Sequence, residues 1–386
     1  MNGFSSSEAL APVVDSNRVK AETNGAELNG HSIRFVPSVC DVSVTNACNA
    51  TCGFCSFAYD KKLIKEKRWL DRAELARALP ILHRRGVRYL NFQGGEPLLH
   101  PEIGGLIGDA HAGGFRPALI TNGWFLPQKI QSLIDAGLGT LLVSIDSHSI
   151  EQHERNRGLA GVGERVREGI AVARRHEIPV LASVTVNRLV KFEELPAMLR
   201  YLGFDAVTFS YPRRAPFGSS SMVYSPDSAL INFEQEELIQ ALESIKALKS
   251  KFPVLNPSAS IDDIERHVRG EREKFGCIGG HKYFYLDWNL NIWRCEAWSK
   301  PLGSVFDLDR IPDCRDRCTA CMMSCYRDSS VLMHAGVAVE DAANAAVAGH
   351  LGEAAHLLFG QSVALSLRSV VQSAGIARKL SSVGAR

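Results

Sequence analysis

The sequence predicts an α/β protein: a parallel sheet with helical crossovers, then a small cysteine-rich α+β unit and a helical C-terminal tail. Three observations predict it. Six β-branched stretches alternate with helix-spaced stretches between residues 38 and 210, and strict alternation of this kind gives a parallel sheet with right-handed crossovers. The ten cysteines fall into two groups, with none between Cys55 and Cys277. Residues 331–386 are Ala-rich at helical spacing.

Each element has its own warrant. Residues 1–30 are polar, small and unpatterned, and read as a flexible arm. SVCDVSVT (38–45) alternates and is β-branched, so it is the first strand, and a cysteine-bearing loop follows at 46–60. Residues 71–85 recur apolar at helical spacing, with Asp71 placed to cap the start. Strands at 87–92, 117–121, 140–145, 179–186 and 206–210 then alternate with helices at 102–112, 127–136, 162–175 and 193–201. Such a sheet is either doubly wound or a barrel, and in both the chemistry collects at the C-terminal ends of the strands. Residues 211–229 read as a loop, 232–250 as a charged helix, and 255–276 as irregular and then charged.

Composition excludes several classes. Apolar residues make up 45% and charged residues 22%, which excludes disorder over the whole length. Lys and Arg total 44 against 42 Asp and Glu, a formal charge of +2, which argues against a protein that works on the nucleic-acid backbone. No apolar run reaches the length of a membrane span, and the first residues lack the pattern of a signal peptide. A reducing cytoplasm is the expected compartment, so clustered cysteines point to metal rather than to disulfides.

The first group is Cys48-Asn-Ala-Thr-Cys52-Gly-Phe-Cys55, on the loop after the first strand. Three thiolates at this spacing can hold three irons of a cubane and leave the fourth open to a small molecule, as a catalytic zinc keeps one open position. A structural zinc short of its fourth ligand, or core cysteines, are the alternatives. The spacing is uneven for a zinc finger, and the residues sit on a glycine-containing loop.

CxxxCxxC with Phe54 just before its third cysteine, together with Gly94-Gly95-Glu96-Pro97 after the second strand, resembles the radical S-adenosylmethionine (radical SAM) superfamily. The resemblance covers about residues 38–215 and implies a partial (β/α)6 TIM-like barrel. It implies that Cys48, Cys52 and Cys55 ligate a [4Fe-4S] cluster whose exchangeable iron binds SAM. Glu96 would pair with the amino group of the methionine part, and Gly94 and Gly95 would let the backbone approach it. Ser144, with Asp146 beside it, would contact the ribose; Asn122, Asn187 and Ser210, at the ends of other strands, would face cofactor or substrate. Each of these has a turn or strand cap as its alternative. A flavodoxin- or ferredoxin-type one-electron donor is implied too. No residue is assigned as a catalytic acid or base.

The second group is Cys277, Cys295 and Cys314-x3-Cys318-x2-Cys321-x3-Cys325. Between the first two, HKYFYLDWNLNIW alternates around a turn at Asp287–Asn289, which predicts a hairpin. Zinc is the plain alternative. Beside the radical SAM resemblance, this region resembles SPASM/twitch extensions, which carry auxiliary [4Fe-4S] clusters. It departs from them in having Leu290 where glycine is usual and no cysteine after Cys325. One auxiliary cluster is expected, held by Cys277, Cys295, Cys318 and Cys321, with Cys314 and Cys325 as substitutes; two clusters, one completed by a substrate or a non-cysteine ligand, are the alternative. Cys40 reads as a core thiol, His281 as solvated rather than a ligand, and the run 61–68 as a solvated loop rather than a lid. Arg213 and Arg214, after the sixth strand, are candidates for an anionic substrate group.

The expected organisation is an arm (1–30), the partial barrel (31–229), a helical linker (230–276), the SPASM/twitch-like unit (277–330) and a helical C-terminal extension (331–386). The expected activity is hydrogen-atom abstraction from a small molecule, leading to oxidation, epimerisation or carbon–carbon bond chemistry. Modification of a ribosomally made peptide is the alternative. A short, unpatterned arm offers no winged recognition domain for a peptide, and an electron carrier has no use for the GGEP motif. No nucleic acid and no membrane span are expected.

Overall fold

The computed structural model describes residues 33–57, 66–212, 219–221 and 228–383. The expected arm, Arg213, Arg214 and most of the run 61–68 lie outside the described residues.

Nine strands form one sheet in the order β6-β5-β4-β3-β2-β1-β7-β8-β9. The first six are β1 (Ser38–Thr45), β2 (Val87–Gly94), β3 (Arg116–Thr121), β4 (Thr140–Ile145), β5 (Val180–Thr185) and β6 (Ala206–Ser210). All neighbouring pairs among them are parallel. Helices α1 (Arg72–Arg84), α2 (Ile103–Ala112), α3 (Leu126–Asp135), α4 (Ile150–Arg157), α5 (Val162–Arg175) and α6 (Leu195–Leu202) make the crossovers. The expected α/β partial barrel of six units is what the chain forms. Asp71 caps α1 as expected, its carboxylate accepting from the Glu74 N–H at 2.9 Å.

The strands have two chemically different faces. Cys40, Val42, Val44, Val143, Val184 and Phe209 are fully buried within the main apolar core. The alternate positions are polar: Asp41 pairs in register with Asn91, Ser144 with Ser183, and Ser183 with Thr208. Side chains at successive positions point to opposite faces, so these polar residues line one inner surface. Cys40 is a core thiol, as expected.

Two helices escape the sequence reading. α4 has the sequence IEQHERNR and buries His153 and Arg157, so no apolar stripe announces it. After α7 (Gln235–Leu248), α8 (Ser258–Val268) runs through the segment expected to be irregular, and it buries Ser260 and Asp263 beside Ile261 and Ile264.

The expected hairpin exists as β7 (Tyr283–Leu286) and β8 (Asn291–Trp293), with a short β9 (Gly303–Ser304) beside it. β7 lies parallel to β1, with Asp41 opposite Tyr285. The cysteine-rich segment therefore continues the sheet of the barrel. Leu290 closes the hairpin turn at φ +62°, in the left-handed region that glycine adopts most easily. Its buried side chain, 8% exposed, packs in the core. The Asp287 carboxylate holds the turn by accepting from the N–H groups of Asn289 and Asn291. The tail is helical as expected, but α9 (Ser324–Val347) begins within the cysteine group, and α10 (Leu351–Leu358) and α11 (Gln361–Val383) fold back on it.

Candidate functional site

All ten cysteines are free thiols. Cys48, Cys52 and Cys55 sit together on the loop at the C-terminal end of β1. Burial pushes the Cys48 thiol up to about 12, with the Glu96 charge and Cys55 adding to it. Cys52 is raised well above its ordinary range by burial, and Cys55 and Cys48 contribute. The three thiols thus feel one another. Among the described residues, no three His, Cys, Asp or Glu side chains converge as a single metal ion would require. The desolvated Cys48 and Cys52 thiols would become thiolates only against a cationic group, and an iron–sulfur core supplies that charge across several ångströms, within reach of Cys55 on the same loop. The donor set fits such a cluster.

The glycine pair positions this loop. Gly94 has φ +132°, and a Cβ there would lie 2.4 Å from the Thr45 carbonyl oxygen. A Cβ on Gly95 would lie 2.2 Å from that of Ala47. The close approach lets the Gly95 N–H donate to Thr45 O at 2.8 Å and the Glu96 N–H to Ala47 O at 2.7 Å. The backbone that these glycines approach is the entrance of the cysteine loop itself, a contact the sequence reading reserved for a ligand.

Glu96 is 1% exposed. Its Oε1 accepts from Thr121 Oγ1 at 2.6 Å and from the Leu98 N–H at 2.9 Å, and Oε2 accepts from the Asn122 N–H at 2.7 Å. Burial raises its pKa and these bonds oppose the rise. Asn122 reaches the cysteine loop through Nδ2, which donates to Asn49 Oδ1 at 2.8 Å. One carboxylate therefore ties together the ends of β2 and β3, and Asn122 extends the tie to the loop.

The sequence reading missed what holds the other side of the loop. At the end of α4, Asn156 Oδ1 accepts from the Gly53 N–H at 3.2 Å, and the Arg157 carbonyl accepts from the Thr51 N–H at 2.8 Å. Gly158 ends the helix at φ +62°, where a Cβ would lie 2.2 Å from Thr51 Oγ1. Asp146, after β4, accepts from Arg157 Nη2 at 2.6 Å and from Asn156 Nδ2 at 2.9 Å. Arg157 is buried, and the thiol groups of Cys52 and Cys48 are among the acidic groups that favour its charge. Fully buried His153 accepts from the Asp146 N–H, and burial lowers it to about 4. The signal available in sequence was Asn156-Arg157-Gly158, a polar helix end with a glycine stop.

The remaining first-domain candidates divide. Phe54 is buried in the core beside the loop. Asn187 caps its own turn by donating to Thr185 O and Asp146 O and accepting from the Leu189 N–H. Ser144 and Ser210 are half-buried on the polar inner surface. Two carboxylates not singled out in the sequence reading also face this region. Asp41, 3% exposed, accepts from Asn91 Nδ2 and from the Tyr283 hydroxyl; Glu296, 5% exposed, accepts from Gln93 Nε2 and from the Ser221 hydroxyl. Burial raises Asp41 to about 6 and Glu296 to about 8.

In the second cysteine group, Cys277 is pushed up to about 12 by burial, with Cys321 next and Cys318 contributing. Burial raises Cys295 well above its ordinary range, with Cys321 and Cys277 the next influences. The Cys277 N–H donates to Cys318 O at 2.9 Å. Cys277, Cys295, Cys318 and Cys321 therefore form one electrostatic group. Cys325 is tied to it through Cys321 but is raised mainly by burial and then by Asp41 and Glu296. The largest influences on Cys314 after burial are Arg294 and Asp316 rather than another thiol. His281 is not solvated: it is 4% exposed, lies 3.6 Å from Asp313, and burial lowers it to about 3. Asp313 gathers Arg34 and Arg85 as well, so His281 belongs to a buried ionic knot.

The radical SAM superfamily model matches residues 42–202. The chain is 26% identical over 263 residues to an AdoMet-dependent heme synthase of Methanosarcina barkeri, covering 65% of this chain and 74% of that one. It is 35% identical over 184 residues to a GTP 3′,8-cyclase of Chlorobaculum tepidum, covering 46% and 53%. It is 25% identical over 240 residues to a PqqA peptide cyclase of Gluconobacter oxydans, covering 61% and 63%. The chain thus spans less than two thirds of the length of either cyclase. The segment that matches the radical SAM superfamily model contains the whole CxxxCxxC loop, the GGEP segment and α4.

Proposed function

We propose that the protein is a radical SAM enzyme that abstracts a hydrogen atom from a small molecule, and that it carries one auxiliary [4Fe-4S] cluster. The observation that carries the reading is the grouping of Cys48, Cys52 and Cys55 on a loop clamped from one side by Gly94–Glu96 and from the other by α4. When bound, the cluster and SAM supply a 5′-deoxyadenosyl radical by one-electron reduction. The chain's own residues hold and shield that chemistry. Cys48, Cys52 and Cys55 hold three irons. Glu96 receives the amino group of SAM at the mouth of β2, and Ser144 faces the ribose. Asn122 fixes the loop against Glu96, while Asn187 and Ser210 complete the polar wall.

Cys277, Cys295, Cys318 and Cys321 hold the auxiliary cluster. Their segment joins the sheet through β7, which pairs with β1, and the buried carboxyl groups of Asp41 and Glu296 beside it would face the substrate. The heme synthase and the GTP cyclase are named for small molecules, which supports that substrate class. The peptide cyclase supports a ribosomally made peptide as the second reading.

The test is anaerobic incubation of reconstituted protein with SAM and a flavodoxin or chemical reductant. Metabolite and peptide pools are profiled in turn, and 5′-deoxyadenosine is measured. Formation of 5′-deoxyadenosine stimulated by a small-molecule pool is expected. Stimulation by the peptide pool alone transfers the reading to peptides, and absence of 5′-deoxyadenosine under all conditions contradicts both.

A further inference from the structure

The helix α11 is amphipathic in the reverse sense of an ordinary surface helix. The face of α11 turned toward the protein is polar. Ser366 and Ser369 are 0% and 3% exposed; Ser366 Oγ accepts from the Ala335 N–H at 3.0 Å, and Ser362 Oγ donates to Lys274 O at 3.0 Å. The face turned outward is aliphatic: Leu367, Val370 and Val371 are 54%, 42% and 73% exposed. Positions three and four apart share a helix face, so these three form one patch. Leu351, 71% exposed, and Phe359, 87% exposed at the corner between α10 and α11, add to the apolar surface of the pair. A soluble helix places its apolar stripe inward.

Charge is sparse along this pair and basic beyond it. From Leu351 to Ile376 the charged residues are Glu353 and Arg368; Arg378 and Lys379 follow. Among the described residues no single helix is long and apolar enough to cross a membrane, and α10 and α11 meet at a bend of 49°. A short, bent, aliphatic face with a large aromatic at its corner suits the plane of a bilayer interface. Arg368, on the same exposed side, can extend its aliphatic stem along that face and place its guanidinium at the headgroups.

We propose that the outer face of α10 and α11 docks the protein on an anionic lipid surface, lying in the interface rather than spanning it. The test is flotation of the reconstituted holoenzyme with vesicles of phosphatidylcholine alone and with roughly a third phosphatidylglycerol. Wild type is expected to float with the anionic vesicles. Phe359→Asp with Val371→Asp is expected to abolish flotation while leaving iron content and circular dichroism unchanged, because both side chains are exposed. Arg368→Gln should weaken binding to anionic vesicles roughly fivefold. Failure of wild type to float, or equal flotation of wild type and the double Asp variant, overturns the proposal. A wild-type dimer that light scattering shows to be dissociated by the Asp substitutions also overturns it, since the face would belong to a second copy.

Discussion

Glu96 has two duties that pull on one carboxylate. Its oxygens already accept from Thr121, Leu98 and Asn122, and the proposed reading adds the ammonium of SAM. Glu96→Gln puts an NH2 against donors that need an acceptor. An unsatisfied buried donor costs about 1–3 kcal/mol, so the variant should melt earlier as well as bind SAM roughly ten- to a hundredfold more weakly. Thermal melting and a SAM titration followed by the EPR of the cluster read the two effects; an unchanged affinity with a lowered melting point would leave Glu96 as a structural tie alone.

Asp41 makes a pH prediction at the same scale. The folded protein keeps its carboxyl protonated up to about pH 6, whereas the ordinary value is 3.8. The folded state binds the extra proton between those values, so this stabilising contribution falls as pH rises through that window. Asp41→Asn keeps an oxygen for Asn91 and Tyr283 and removes the titration. Its unfolding free energy should lose less between pH 4 and 7 than wild type, by on the order of 1–3 kcal/mol. Denaturant unfolding at several pH values checks it, and identical slopes would contradict it.

At the scale of elements, α4 acts as a brace for the cysteine loop rather than as a mere crossover. Asn156→Ala deletes the bond to Gly53 and one to Asp146, and it should speed iron loss to a chelator several-fold while the fold survives. Chelation followed by absorbance measures it; a rate equal to wild type would show that α4 does not restrain the loop. This brace also marks the limit of the sequence reading. The six strands were legible because their outer faces are β-branched and their order is strict. The same holds for the Asp71 cap and for the hairpin around Asp287. α4 was not legible because hydrophobic periodicity cannot see a helix whose buried side chains are His153 and Arg157, and α8 hid in the same way behind Ser260 and Asp263. The GGEP segment was readable as a motif, but its contact with Thr45 and Ala47 exists only once β1 and β2 pair. Leu290 carries the converse lesson: its backbone takes the left-handed conformation expected of glycine, and its burial explains why a leucine can stand there.

Across the whole molecule, one sheet joins the two cysteine groups. β7 pairs with β1, which places Tyr283 against Asp41 and Glu296 against Gln93. The second cysteine group is therefore built onto the β1 side of the six-stranded sheet, while the groups proposed for SAM all lie between β1 and β6. Cys318→Ala with Cys321→Ala should lower iron from about eight to about four per chain. It should leave 5′-deoxyadenosine formation largely uncoupled from product; product at the wild-type ratio, or zinc in place of the lost iron, would remove the auxiliary cluster from the chemistry. The central claim is that Cys48, Cys52 and Cys55 hold the cluster that cleaves SAM. Its most direct test is reductive SAM cleavage by the triple Cys→Ala variant, with iron counted in the same sample. The account predicts no 5′-deoxyadenosine and about four irons retained in the auxiliary site; 5′-deoxyadenosine formed at the wild-type rate would contradict it.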